Sequence, residues 1–280
     1  MPISFFKYIA SPDENGVARF TPSDDLKEYV EGYYFLNEAH FAGRELFFND
    51  GYPVVAFMQT KDKKTRINAD GDLTLVGNAW VCGGMLRNIY CESPASFDGL
   101  FVMRFYPGAF FRLFETGPKL FDQRQVLDFS EIAGFGFEAF NNVFYSASSE
   151  DQKIEAINRF LSAKVSIHSY PDVLTDVLEL IDKQGIQTVK ALVNACKARL
   201  SYKWLERNFK KHLGVSPKNY LLMRRFLHAY LDLQDTKTKD LLQVALDNGY
   251  CDANHFIKDF RKFSGVPPKT YFLNSGTSIG

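Results

Sequence analysis

Two sets of side chains, 51 positions apart, share a spacing and a chemistry. Lys203, Glu206, Arg207 and Lys210 stand at i, i+3, i+4 and i+7, as do Asn254, Ile257, Lys258 and Arg261. On a helix each set therefore occupies one side. These residue types suit the edges and backbone of a nucleic-acid duplex. A guanidinium or ammonium meets guanine O6 and N7, and an amide meets adenine N6 and N7. A carboxylate accepts from cytosine N4, and an apolar side chain touches the thymine methyl. Base-edge candidates are Tyr202, Lys203, Glu206 and Arg207 in the first set, and Asn254, His255, Ile257 and Lys258 in the second. Ser201, Lys210, Lys218, Arg224, Arg225, Arg261, Lys262 and Lys269 are candidates for phosphate contacts, which fix position without reading sequence. Each has an ordinary alternative. Arg207 can pair with Glu206 or a nearby acid, His255 can be a neutral surface side chain, and Ile257 can pack against a neighbouring helix. Ser201 and Asp252 can be N-caps first, and any single lysine can belong to a solvated face.

Holding two such sets requires two helices, and the sequence repeats the means to build them. "SYKWLERNFKKHLGVSPKNY" (201–220) aligns with "DANHFIKDFRKFSGVPPKTY" (252–271), pairing Leu205 with Phe256, Phe209 with Phe260, Gly214-Val215 with Gly265-Val266, and Tyr220 with Tyr271. Each copy starts on a capping residue, buries apolar side chains four apart, stops at Gly and restarts at Pro. Each is preceded by another short helical pattern, "TVKALVNACK" and "DLLQVALDN", the second with Gly249 at its turn. A helix following another across a short turn is the helix-turn-helix arrangement, whose second helix fits a major groove about 12 Å wide.

Around this repeat the periodicity predicts helices near 172–183, 188–197, 201–213, 216–233, 240–247 and 252–263, with a last one from about Pro267. Upstream, "EDQKIEAINRFLSAKV" brings Ile154, Ile157, Phe160 and Leu161 onto one stripe, serving as a dimerisation surface or an ordinary packing face. "HSYP", residues 168–171, reads as a linker. Residues 1 to about 145 read as β: "PVVAFMQ" and "LFVMRFYPGAF" as buried strands, and a hairpin about Asp70-Gly71, with short helices at 110–116 and 119–133. The expected fold is α+β and multidomain. It comprises a mostly-β barrel or sandwich over 1–149, a helix and linker over 150–171, and an all-α domain with two helix-turn-helix units over 172–280.

Composition narrows the function. At 46% hydrophobic and 24% charged, a chain of 280 residues buries a sizeable core. Its net charge is zero, yet from residue 183 onward 17 Lys and Arg face 7 Asp and Glu, while 16 face 26 before it. A basic helical third joined to an acidic body points to an anionic partner, double-stranded DNA first. The start lacks a basic n-region and long apolar run, and no stretch approaches the roughly 18 apolar residues of a span, so the expected location is the cytoplasm, without membrane contact. Cys82, Cys91, Cys196 and Cys251 form no CxxC pair, and His40, His168, His212, His228 and His255 have no metal-ligand spacing. There is no Walker loop, HExxH or post-strand G-x-G-x-x-G. An enzyme, a metal and a cofactor are not expected.

The residues that carry the repeat also resemble the AraC family of bacterial transcription regulators. The likeness lies in Leu205, Arg207 and Phe209 as L-x-R-x-F, in "GVSPKNYLLMRR" after them, and in "ALDNGYCDANHFIKDFRKFSGVPPKTY". It covers about residues 172–272, and more diffusely "MRFYPGAFFRLF" and "GNAWVCGGM" upstream. It implies seven helices forming two helix-turn-helix units, joined by a long helix at about 216–233 that holds both reading helices against successive major grooves. Ala198-Arg199 departs from the family at the first turn, where a small or Gly-containing sequence is usual. The resemblance further implies an N-terminal sensor domain that binds a small-molecule effector or mediates homodimerisation, and RNA polymerase as a partner if the chain activates transcription. A methyl-transferring repair protein with the same type of DNA-binding domain would need a reactive cysteine cluster, which is missing. The alternative reading is a small-molecule-binding β-barrel whose helical domain mediates protein contacts.

Overall fold

The computed structural model describes residues 1–10, 17–37, 44–61, 64–69, 71–92, 99–165, 172–196, 200–235 and 240–274. Among the described residues, the N-terminal half carries ten strands in two antiparallel sheets. β1 (Ala18–Phe20), β2 (Val30–Leu36), β4 (Val54–Met58), β7 (Ala79–Cys82), β9 (Leu100–Phe105) and β10 (Val126–Asp128) form a six-stranded sheet in the order β1-β2-β9-β4-β7-β10. β3 (Arg44–Leu46), β5 (Thr65–Ala69), β6 (Asp72–Val76) and β8 (Ile89–Glu92) form a four-stranded sheet in the order β3-β8-β5-β6. The hairpin expected about Asp70-Gly71 joins β5 to β6, with Ala69 opposite Asp72; Asp70 lies outside the described residues.

β4 and β9 are buried at every position, so their apolar runs do not alternate with polar residues. Alternation persists in where the side chains go. Val54, Ala56, Met58, Leu100 and Val102 join Leu46, Ile67, Ile89 and Cys91 from the smaller sheet. Val55, Phe57, Phe101, Met103 and Phe105 face the other way, into a cluster rich in phenylalanine from the helices. Those helices are α2 (Ala109–Leu113), α3 (Ser130–Ala133), α4 (Phe137–Ser146) and α5 (Glu150–Ser162), after an N-terminal α1 (Phe5–Ala10). The helix expected over 119–133 is instead a 3-10 turn at Pro118–Phe121, strand β10 and α3. α4 falls where only β was expected: Phe137, Phe140 and Phe144 sit on one helical face and bury against the sheet. The stripe on α5 is a packing face. Ile154, Ile157, Phe160 and Leu161 are buried, and Phe160 stacks on Phe140 at 4.4 Å, so this stripe is not open to a second copy.

Seven helices follow among the described residues, as the periodicity predicts: α6 (Asp172–Gln184), α7 (Val189–Ala195), α8 (Tyr202–Leu213), α9 (Pro217–Asp235), α10 (Leu241–Asp247), α11 (Ala253–Ser264) and α12 (Pro268–Asn274). The proposed linker 168–171 and the Ala198-Arg199 turn lie outside the described residues. Among the described residues, no helix is long and apolar enough to cross a membrane.

One core runs through both halves. Phe48, before β4, sets its ring 5.3 Å from Phe226 on α9 and 5.3 Å from Phe263 on α11. The cluster joining the smaller sheet continues through Leu205, Phe209, Tyr220, Phe226, Phe256 and Phe260. A Cβ at Gly51 would collide with the Tyr220 ring, so the loop before β4 passes the start of α9 with backbone alone.

Candidate nucleic-acid interface

α8 and α11 are built alike, and local chemistry dictates how. Ser201 caps α8, its Oγ accepting from the Trp204 amide at 3.2 Å, and Asp252 caps α11, its Oδ1 accepting from the His255 amide at 2.7 Å. Each carboxyl end terminates on a left-handed glycine, Gly214 at φ 73° and Gly265 at φ 76°. Leu205, Phe209 and Leu213 are buried on α8, as are Phe256, Phe260 and Phe263 on α11. With the apolar faces held, the opposite faces point outward.

On α8, Tyr202, Lys203, Arg207 and Lys210 are exposed, and Glu206 is half-buried. Glu206 pairs with Lys210 at 2.8 Å, one turn on, and not with Arg207. Among the described residues Arg207 and Lys203 have no ion-pair partner, so their charge faces outward. On α11, Asn254, Lys258 and Arg261 are exposed, while His255, Ile257 and Lys262 are half-buried. The His255 ring stands edge-on to Tyr250 at 5.1 Å, and its Nε2 lies 3.5 Å from Arg225 Nη2, which ties it to the helix beneath. Lys218 and Lys269 are exposed in the first turns of α9 and α12.

Two of the phosphate candidates are used inside the molecule instead. Arg225 donates to Asp259 at 3.0 Å and lies 4.2 Å from the Tyr250 ring centroid, pinning α9 to α11. Arg224 donates to Asp182 on α6 at 2.7 Å and to Asp50 of the N-terminal half at 3.2 Å. Asp50 also accepts from Arg104 on β9, whose guanidinium lies 3.9 Å from the Tyr52 ring centroid. Burial alone would raise the Asp50 carboxyl, and Arg104 and Arg224 more than reverse that, holding it below the usual carboxylate range. The expectation that Arg224 and Arg225 face phosphate is thus corrected. A buried carboxylate needs paired cations, and these two are the cations that α9 presents inward.

Sequence reasoning did not find Asp50, Phe48 or Arg104. Asp50 and Arg224 are 174 positions apart, and no local pattern links them. The two helix ends also bear on the N-terminal half. A Cβ at Gly214 would come within 2.7 Å of Pro118 Cβ, and one at Gly265 would collide with the Asn88 side chain. The N-terminal half therefore touches both copies of the repeat at equivalent positions. A separate open groove of about 480 Å³, lined by Val173, Asp176, Val177, Leu180, Ala195, Cys196 and Leu200, lies between α6 and the end of α7.

Fold and surface together define a two-layered β domain joined through one core to a pair of helix-turn-helix units. Residues 195–274 match the family described as "Helix-turn-helix domain", in agreement with the motifs that resemble the AraC family. The chain is 35% identical over 96 residues to the HTH-type transcriptional regulator GbdR of Pseudomonas aeruginosa, covering 34% of this chain and 26% of GbdR. It is 27% identical over 103 residues to the regulatory protein SoxS of Escherichia coli, covering 37% of this chain and 95% of SoxS. The matched region thus spans about a quarter of GbdR but nearly all of SoxS, and both relatives are named as regulators. Among solved structures, ToxT from Vibrio cholerae is similar at a TM-score of 0.44 and 14% identity, covering 92% of this chain and 96% of ToxT.

Proposed function

We propose that this chain is a sequence-specific DNA-binding transcriptional regulator of the cytoplasm that reads two adjacent major grooves, one with α8 and one with α11. The observation that carries this reading is the pair of equivalently capped helices, each buried on its apolar side, with Lys203, Arg207, Asn254 and Lys258 exposed on the other. Arg207 and Lys258 occupy equivalent positions and are the leading base readers, with Asn254 suited to adenine. Tyr202, Glu206, His255 and Ile257 supply the remaining base-edge contacts, Glu206 by leaving Lys210. Lys210, Lys218, Arg261, Lys262 and Lys269, with the capped amide ends at Ser201, contact phosphate.

The N-terminal domain serves as the sensor, modulated by a small-molecule effector or by pairing with a second copy. Its contacts at Pro118, Asn88 and Asp50 support that role, since a shift there would move both reading units. Selection of binding sites from genomic fragments with the full chain, followed by footprinting, tests the reading. Two protected stretches about 34 to 36 Å apart are expected. Enrichment of no sequence over bulk genomic DNA would overturn it, and leave the helical domain as a protein-contact module.

A further inference from the structure

We infer that the N-terminal domain takes part in the duplex contact itself: Arg87, on the loop between β7 and β8, joins Lys218 and Lys262 in holding a backbone phosphate beside the second reading helix. This rests on the reading of α8 and α11 as DNA-binding helices and adds a contact from outside the helical domain.

The loop carrying Arg87 is fixed to the end of α11. The Asn88 amide donates to the Phe263 carbonyl at 2.7 Å, the Tyr90 hydroxyl donates to the Ser264 carbonyl at 2.6 Å, and the Arg87 amide donates to Gln125 Oε1 at 2.8 Å. Asn88 takes a left-handed φ of 49°, a conformation Asn tolerates better than most residues, and packs its side chain against Gly265. Arg87 is thereby held against α11 with its own side chain exposed.

Arg87 from the β domain thus stands beside the end of α11 that carries Lys262, and Lys218, in the first turn of α9, is near enough for its charge to act on Lys262. Burial lowers the pKa of the Lys262 ammonium, and the positive charges of Arg87 and Lys218 lower it further. Asp259 opposes this, but it is already paired with Arg225 at 3.0 Å. Among the described residues, no carboxylate forms an ion pair with Arg87, Lys218 or Lys262. Such a cluster gains by taking up an anion. Lys258 and Lys262 are one turn apart on α11, so a duplex engaged by Lys258 brings its backbone toward Lys262.

The test is a salt series of fluorescence-anisotropy titrations with the full chain and a duplex of about three helical turns recovered by selection. Arg87→Ala should make the log-log slope of affinity against salt shallower by about 0.9, and Lys262→Gln should do the same. Arg87→Lys should keep the wild-type slope, and base preference should be unchanged in all three. A wild-type slope retained in Arg87→Ala, or affinity lower by one constant factor at every salt concentration, overturns the N-terminal contribution alone. A wild-type chain with no salt-dependent affinity for any duplex overturns the DNA-binding reading beneath it.

Discussion

Arg224 and Arg207 are both arginines of the helical domain, and their surroundings give them opposite roles. Arg207 faces outward without a partner among the described residues, so Arg207→Ala should relax preference at one base position and cost about 1 to 3 kcal/mol of binding. Lys258→Ala should do the same at a second position, and selection repeated with each variant checks both. Arg224 is bound between Asp50 and Asp182, so Arg224→Ala should leave base preference and salt slope unchanged while lowering folding stability by about 2 kcal/mol. Asp50→Asn should be costlier, about 3 to 5 kcal/mol, because two guanidinium groups lose their shared carboxylate. The Asp50 carboxyl has a folded pKa below its unfolded one. Its stabilisation is therefore fully present above the unfolded value and is lost as pH falls through the folded value. Thermal unfolding followed from neutral pH downward should fall more steeply in wild type than in Asp50→Asn. None of this pairing is legible in the sequence. "FFNDGYP" marks a turn, and nothing in it names a partner on α9.

The elements carry their own signals to different degrees. α8 and α11 are legible because each has a cap, a four-residue apolar spacing and a stop glycine, all within about a dozen residues. Ser201→Ala and Asp252→Ala should each cost about 1 kcal/mol, measurable by chemical denaturation. Gly265→Ala should cost more than either, since it meets both a left-handed backbone and the Asn88 side chain. α4 was not legible, because "FGFEAFNNVFY" is aromatic enough to read as strand, and its helical stripe takes meaning only from the sheet it covers. The runs in β4 and β9 announced burial but not which face met helices and which met the smaller sheet. Registers and sheet order depend on partners far along the chain, whereas caps and stops are local.

At the scale of the whole molecule, α9 joins the two units, and the β domain braces it through Phe48, Tyr220 and the Asp50 cluster. If α8 and α11 read DNA as proposed, their common braced scaffold should make them enter the duplex together. If about six phosphates are neutralised, affinity should fall with salt at a log-log slope near −5. Joint entry also makes the chain sensitive to the rotational phase of its two half-sites. The most direct measurement inserts about five base pairs, half a helical turn, between the halves of a selected site and compares affinities. This spacing should reduce binding to the level of a single half-site, and a full-turn insertion should recover less than the original spacing. Equal affinity at every spacing would mean that α8 and α11 do not act as one rigid pair.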